Sequence, residues 1–167
     1  MRKKLLRAVG ALVLLAGLTL TPTLAAELGS QRVGILESNL ALSTYTVYDE
    51  NGYATNYVRL RDVACALQYT TDCFSVSYDG STRVTTGATY IPDGSELKCP
   101  TEMGSAKTYT AVVTVDGVGK RMEAMFITPP GSQDGNFYYK LRDLGQAIGF
   151  DVGWSAEQGI YIDTMWK

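Results

Sequence analysis

Tyr57-Val58-Arg59-Leu60-Arg61-Asp62-Val63-Ala64 returns as Tyr138-Tyr139-Lys140-Leu141-Arg142-Asp143-Leu144-Gly145, 81 positions later. The residues behind each block also correspond: Ala66-Leu67 with Ala147-Ile148, and Phe74-Ser75-Val76-Ser77-Tyr78 with Phe150-Asp151-Val152-Gly153-Trp154. A repeat of this kind reduces the chain to two copies of one small unit. Upstream, an offset of 79 sets Val33 against Val112, Leu36 against Val115, Val47 against Phe126 and Gly52 against Gly131. The copies then span 32–86 and 111–162, and 87–110, with Pro92, Gly94, Pro100 and Gly104, reads as a connector.

Each copy carries the same predicted elements. In the second, Val112–Val115 is a strand, Asp116-Gly117 a hairpin turn and Met122–Thr128 its return. The first has a weaker turn at Glu37-Ser38-Asn39. A short extended piece follows, and then a helix: Leu60, Val63, Ala64 and Leu67 recur at helical spacing, as do Leu141, Leu144, Gly145 and Ile148. Gly149 is placed to end the second helix. Phe74, Val76 and Tyr78 alternate with polar residues, as do Phe150, Val152 and Trp154, which predicts half-buried strands. A last strand (83–86, 159–162) closes each unit. The expected fold is α+β: two repeats, each a small, mostly antiparallel sheet with one short helix packed on it, ordered strand-strand-strand-helix-strand-strand.

Residues 1–25 read as a secretory signal peptide: Arg2, Lys3, Lys4 and Arg7, an apolar run over 8–20, then Pro22 and a small-residue cleavage pattern ending at Ala25. The run is short for a membrane span, which needs about 20 apolar residues. Losing the leader takes the 15 basic residues to 11 against 17 acids, a net charge of −6. That balance disfavours nucleic acid and, after cleavage, membrane surfaces, since both are held by lysine and arginine. The expected location is secreted, extracellular or in the cell envelope.

The stretch Asn56–Leu67 with Phe74–Asp79, and more closely Tyr138–Trp154, resembles the copper amine oxidase N-terminal-like, or stalk, domain family, in two tandem copies. The resemblance implies a bacterial envelope protein of Gram-positive type, whose repeats are non-catalytic appendages remote from any copper site. It implies no copper chemistry; family members often carry a catalytic or adhesive domain beside the repeats, and none is expected here.

The chain has no histidine, which removes Ser-His-Asp and Cys-His catalysis and the usual zinc and copper centres. Neither cofactor nor metal is expected. Paired carboxylates remain the one acid–base option, with Asp62 and Asp143 as the recurring pair for a distant reading as a small hydrolase. Both fall in the first turn of a predicted helix, where the helix dipole favours a negative side chain without any catalytic role. Asp49-Glu50-Asn51-Gly52 reads as a turn, lacking the spacing of a calcium loop.

Arg61 and Arg142 recur as a possible cationic spot for an acidic ligand, against the plainer reading that each pairs locally with an acid. Tyr57, Tyr78, Tyr138 and Trp154 match between copies and are expected to serve core or sheet packing. Tyr53, Tyr69, Tyr90 and Trp166 have no counterparts and are the candidates for exposed ligand contacts. Cys65 faces away from the apolar helix stripe, opposite Gln146 in the other copy. Cys73 ends a five-residue insertion that the second copy lacks. A Cys65–Cys73 disulfide is therefore expected, with Cys99 free or intermolecular; the alternative is three free thiols. The functional expectation is a non-enzymatic binding or spacer module, its partner a cell-wall glycan or another envelope protein. A peptidoglycan- or glycan-binding module using exposed aromatics is the alternative.

Overall fold

The computed structural model describes residues 26–98 and 105–167; the expected leader and Cys99 lie outside them. The chain runs β1 (Ala26–Ile35), β2 (Ala41–Tyr48), β3 (Ala54–Arg59), α1 (Leu60–Leu67), β4 (Phe74–Tyr78) and β5 (Thr82–Thr86). It continues with β6 (Ser105–Val115), β7 (Val118–Thr128), β8 (Asn136–Lys140), α2 (Leu141–Ile148), β9 (Asp151–Ser155) and β10 (Gly159–Asp163).

The expectation of two small sheets, each with its own helix, is overturned. All ten strands form one mixed sheet in the order β4-β5-β6-β7-β8-β3-β2-β1-β10-β9. Each half gives its last hairpin to the other: β10 lies parallel to β1, with Ile35 opposite Ile162, and β5 lies parallel to β6, with Val84 opposite Val115. At the centre β3 and β8 pair antiparallel, Val58 opposite Tyr139. Exchanging β1–β5 with β6–β10 returns the same strand order reversed, so the topology is two-fold about the β3–β8 pair. Alternation in the sequence encodes which face of a strand is buried, and it is silent on which strand lies alongside.

The pairing also resets the alignment. Tyr45 sits opposite Tyr57, and Met125 opposite Tyr138, so β2 and β7 correspond at an offset of 80. Val47 is therefore the counterpart of Ile127, which shares its apolar cluster, and not of Phe126. A slip of one position turns every side chain to the other face.

Both helices lie on one face of the sheet. Their stripes, Leu60, Val63, Ala64 and Leu67 with Leu141 and Leu144, join Val33, Leu42, Val58, Val84, Val113 and Ile162 in the main core. Leu67 and Leu144 are fully enclosed, and each contributes roughly 1.5–3 kcal/mol by burial. The opposite face holds a smaller cluster of Tyr45, Val47, Tyr57, Met125, Ile127 and Tyr138. Local signals shape the ends of the elements. Asp116 (φ 48) and Gly117 (φ 83) make the two-residue hairpin turn. Gly149 (φ 108) ends α2 by returning its N–H to the Gly145 carbonyl at 2.7 Å.

The helices differ in cover. Seven of the eight residues of α1 are buried, but only Leu141, Leu144 and Gly145 of α2. The difference is the connector, which folds back over α1.

Candidate functional site

Two grooves occupy matching places about the central strand pair. The first, of about 420 Å³, is lined by Ala54–Asn56 of β3, Lys140–Asp143 at the start of α2, Val152 and Trp154 of β9, and Ile160 of β10. The second, of about 370 Å³, is lined by Gly135–Phe137 and Tyr139, Arg59–Arg61 at the start of α1, Val76–Tyr78 of β4, and Thr82 of β5. Each groove thus combines a helix start and an edge hairpin of one copy with a central strand of the other. An aromatic ring stands at each: Trp154, 64 % exposed, and Tyr78, 77 % exposed. Both had been expected to serve core or sheet packing. An eight-residue helix is only about 12 Å long, so it covers Phe74 and Phe150 and leaves the ends of β4 and β9 open.

The polar walls of the two grooves are held differently. In the first, Lys140 Nζ pairs with Glu123 Oε1 at 3.0 Å, and the Tyr57 hydroxyl donates to the same oxygen at 2.6 Å. Burial, and then Glu123, push the Tyr57 hydroxyl well above its ordinary range. Arg142 is exposed and donates to the Val152 carbonyl at 3.2 Å.

In the second, the matching cations are clasped by the connector. Arg61 Nε donates to the Tyr90 hydroxyl at 2.7 Å, and that hydroxyl donates to Glu96 Oε1 at 2.6 Å. Arg61 Nη2 also pairs with Asp93 at 2.7 Å and with Glu96 at 3.2 Å. Arg59 pairs with Asp62 at 2.6 Å and donates to the Ser95 carbonyl at 2.5 Å. Asp62 accepts the Leu97 N–H at 3.0 Å.

The clasp tunes its own members. Burial, and then the bond to Glu96, push the Tyr90 hydroxyl up to about 12. Hydrogen bonds from Ser95, and then Arg61, hold the Asp93 carboxyl well below its usual range. Burial opposes ionisation of Glu96, but the Tyr90 hydroxyl and backbone N–H groups outweigh it and keep that carboxyl depressed.

On α2 the corresponding ground is bare. Gly119–Met122, Asp143, Gln146 and Ala147 line an open hollow of about 520 Å³. Asp143, Gln146 and Ala147 are the counterparts of Asp62, Cys65 and Ala66.

The other sequence candidates separate clearly. Tyr53 and Tyr69 are exposed, Tyr53 on a turn closed by Asp49, whose carboxylate accepts the N–H groups of Asn51 and Tyr53. Trp166 is partly exposed and donates its indole N–H to the Leu36 carbonyl at 3.2 Å. Tyr90 is 3 % exposed and belongs to the core, which removes it as a surface contact. Tyr57 and Tyr138 are buried, as expected. Tyr53 sits apart on its turn, whereas Tyr69 and Trp166 lie on segments joined by the Thr70–Trp166 bridge.

The expected Cys65–Cys73 bridge is not formed: both are free thiols. Cys65 is 9 % exposed within the main core, because the connector covers the side of α1 that the apolar stripe leaves open. Cys73 is 1 % exposed, and Lys167 Nζ lies 3.2 Å from its sulfur. The insertion before Cys73 is pinned instead by the C-terminal segment, through Thr71 N–H to the Met165 carbonyl (2.8 Å) and Lys167 N–H to the Tyr69 carbonyl (3.1 Å).

Among the described residues no helix is long and apolar enough to cross a membrane, and no group of three or more Cys, Asp or Glu is arranged to hold a metal ion. The chain matches no family model, no curated protein and no solved structure.

Proposed function

We propose that this chain is a secreted, non-catalytic binding module of the bacterial cell envelope that contacts a wall glycan through its two matched grooves. The observation that carries the reading is the repeated placement of an exposed ring, Trp154 or Tyr78, beside a polar wall bearing Arg142 or Arg61. An aromatic face packs against the C–H face of a sugar, and neighbouring polar groups bond its hydroxyls. The non-catalytic part is supported by Asp62, whose carboxylate is engaged by Arg59 and the Leu97 N–H. The resemblance to the stalk family points the same way.

Sedimentation with insoluble peptidoglycan across a range of salt concentrations tests the reading. The chain is expected in the pellet, with retention reduced by Trp154→Ala and removed when Tyr78→Ala is added. Failure to pellet at any salt concentration rejects the glycan ligand and leaves a spacer or protein-binding role.

A further inference from the structure

We propose that the outer face of α2 docks an acidic, tyrosine-bearing peptide segment of a partner protein, in the manner in which α1 already holds the connector. The two helices begin with the same side chains: Arg59, Arg61 and Asp62 on α1, Lys140, Arg142 and Asp143 on α2. On α1 all three are engaged by one segment with the pattern Tyr-x-x-Asp-x-x-Glu-Leu, residues 90–97. Arg61 takes the Tyr90 hydroxyl and the carboxylates of Asp93 and Glu96, Arg59 takes a backbone carbonyl, and Asp62 takes a backbone N–H. The segment buries Tyr90 and packs Leu97 against the core.

On α2 Asp143 borders an unfilled hollow, and Lys140 and Arg142 line the groove beside it. Arg142 is exposed, and the Asp143 carboxylate meets no hydrogen-bond donor among the described residues. The sequence is adapted to the difference. Cys65 lies under the connector, and burial, followed by the charges of Glu96 and Asp62, raises its thiol. Its counterpart Gln146 is exposed and polar.

Charge selects the occupant. Lys120 and Arg121, both exposed at the start of β7, line the hollow, and Arg142 stands at the same helix start. Three cations beside one free carboxylate favour a segment with two acids, although the chain as a whole is acidic. Lys120 and Arg142 would take those acids, and Asp143 a backbone N–H.

The site shares Arg142 with the glycan groove, and the two readings are told apart by Lys120, which lines the hollow alone, and Trp154, which lines the groove alone. A labelled peptide with the sequence of residues 88–98, titrated onto the full chain at low salt and followed by fluorescence anisotropy, tests it. The tethered connector competes for α1 at a high effective concentration, so added peptide is directed to α2. Saturable binding is expected, weakening with salt and falling about tenfold or more with Lys120→Glu or Arg142→Glu, since each removes a charge-assisted contact. A peptide with its acids changed to Asn and Gln should not bind, and Arg61→Glu in the protein should leave binding in place. Three results overturn the proposal: no binding, binding lost with Arg61→Glu but kept with Arg142→Glu, or a chain already dimeric whose α2 face is closed by a second copy.

Discussion

The rings of Phe74 and Phe150 lie nearly parallel, 9° apart in plane and 6.5 Å between centroids, although they serve opposite edges of the sheet. Phe74 opens β4 and Phe150 precedes β9, so the contact shows that the sheet curls around the two helices until its ends approach. Both rings are buried in the main core. Replacing Phe150 with Ala is expected to cost about 3–5 kcal/mol. The loss should appear in urea unfolding as a shift of one cooperative transition, because neither half has a sheet of its own. Two resolved transitions would contradict the interlocked topology.

The connector clasp should confine stability to a pH window. Tyr90 has a raised value, about 12, against about 10 unfolded, so its contribution is complete below pH 10 and is lost as pH rises from about 10 to about 12. Asp93 and Glu96 are depressed, so theirs is complete above the unfolded carboxylate range near pH 4 and is lost as pH falls through their lower folded values. Proteolytic cleavage within residues 88–97 should therefore rise at both extremes. Tyr90→Phe should blunt the alkaline rise while costing about 1–3 kcal/mol at neutral pH, because Glu96 and Arg61 lose a shared partner.

Gly145 is required by close approach. A Cβ placed there would stand 2.6 Å from the Phe150 carbonyl oxygen, where the chain reverses directly after α2. Gly145→Ala is expected to destabilise by about 1–3 kcal/mol through overpacking. The matching residue of α1 is already Ala64, where the longer loop before Cys73 lets the chain return at a distance. Thermal unfolding of the variant checks the cost.

The cysteines give a direct chemical test. In a Cys99→Ser variant, intact mass should not increase on reduction, because Cys65 and Cys73 are unbridged. Both thiols should resist alkylation until denaturant is added, given their burial. A two-proton gain on reduction would contradict the structure.

What could be read from the sequence was local. The Asp116-Gly117 turn, the helix stripes and the Gly149 stop each depend on a few neighbouring residues. Strand partnership does not, because alternation is the same whichever strand lies alongside. The position of β7 was read one residue out, since Val47 and Phe126 are both apolar and the true counterpart, Ile127, stands next to Phe126. In the site, Arg61 and Arg142 were visible as a recurring pair, but the divergence of their roles was not. One signal was present: Asp93 and Glu96 follow Tyr90 in a stretch that its Pro and Gly made look like a simple linker. Tyr78 and Trp154 were assigned to core or sheet packing because they repeat; a repeated position preserves a place in the fold and not its burial.

The pairing of β1 with β10 has a consequence for how the protein is made. Among the described strands, the first to leave the ribosome must wait for the last one, with Val33 meeting Ile160. Long-separation pairing of this kind slows folding, because a large loop closes before its contacts are gained. A nascent chain halted before residue 159 would leave one side of β1 unpaired, an open edge on which aggregation can begin.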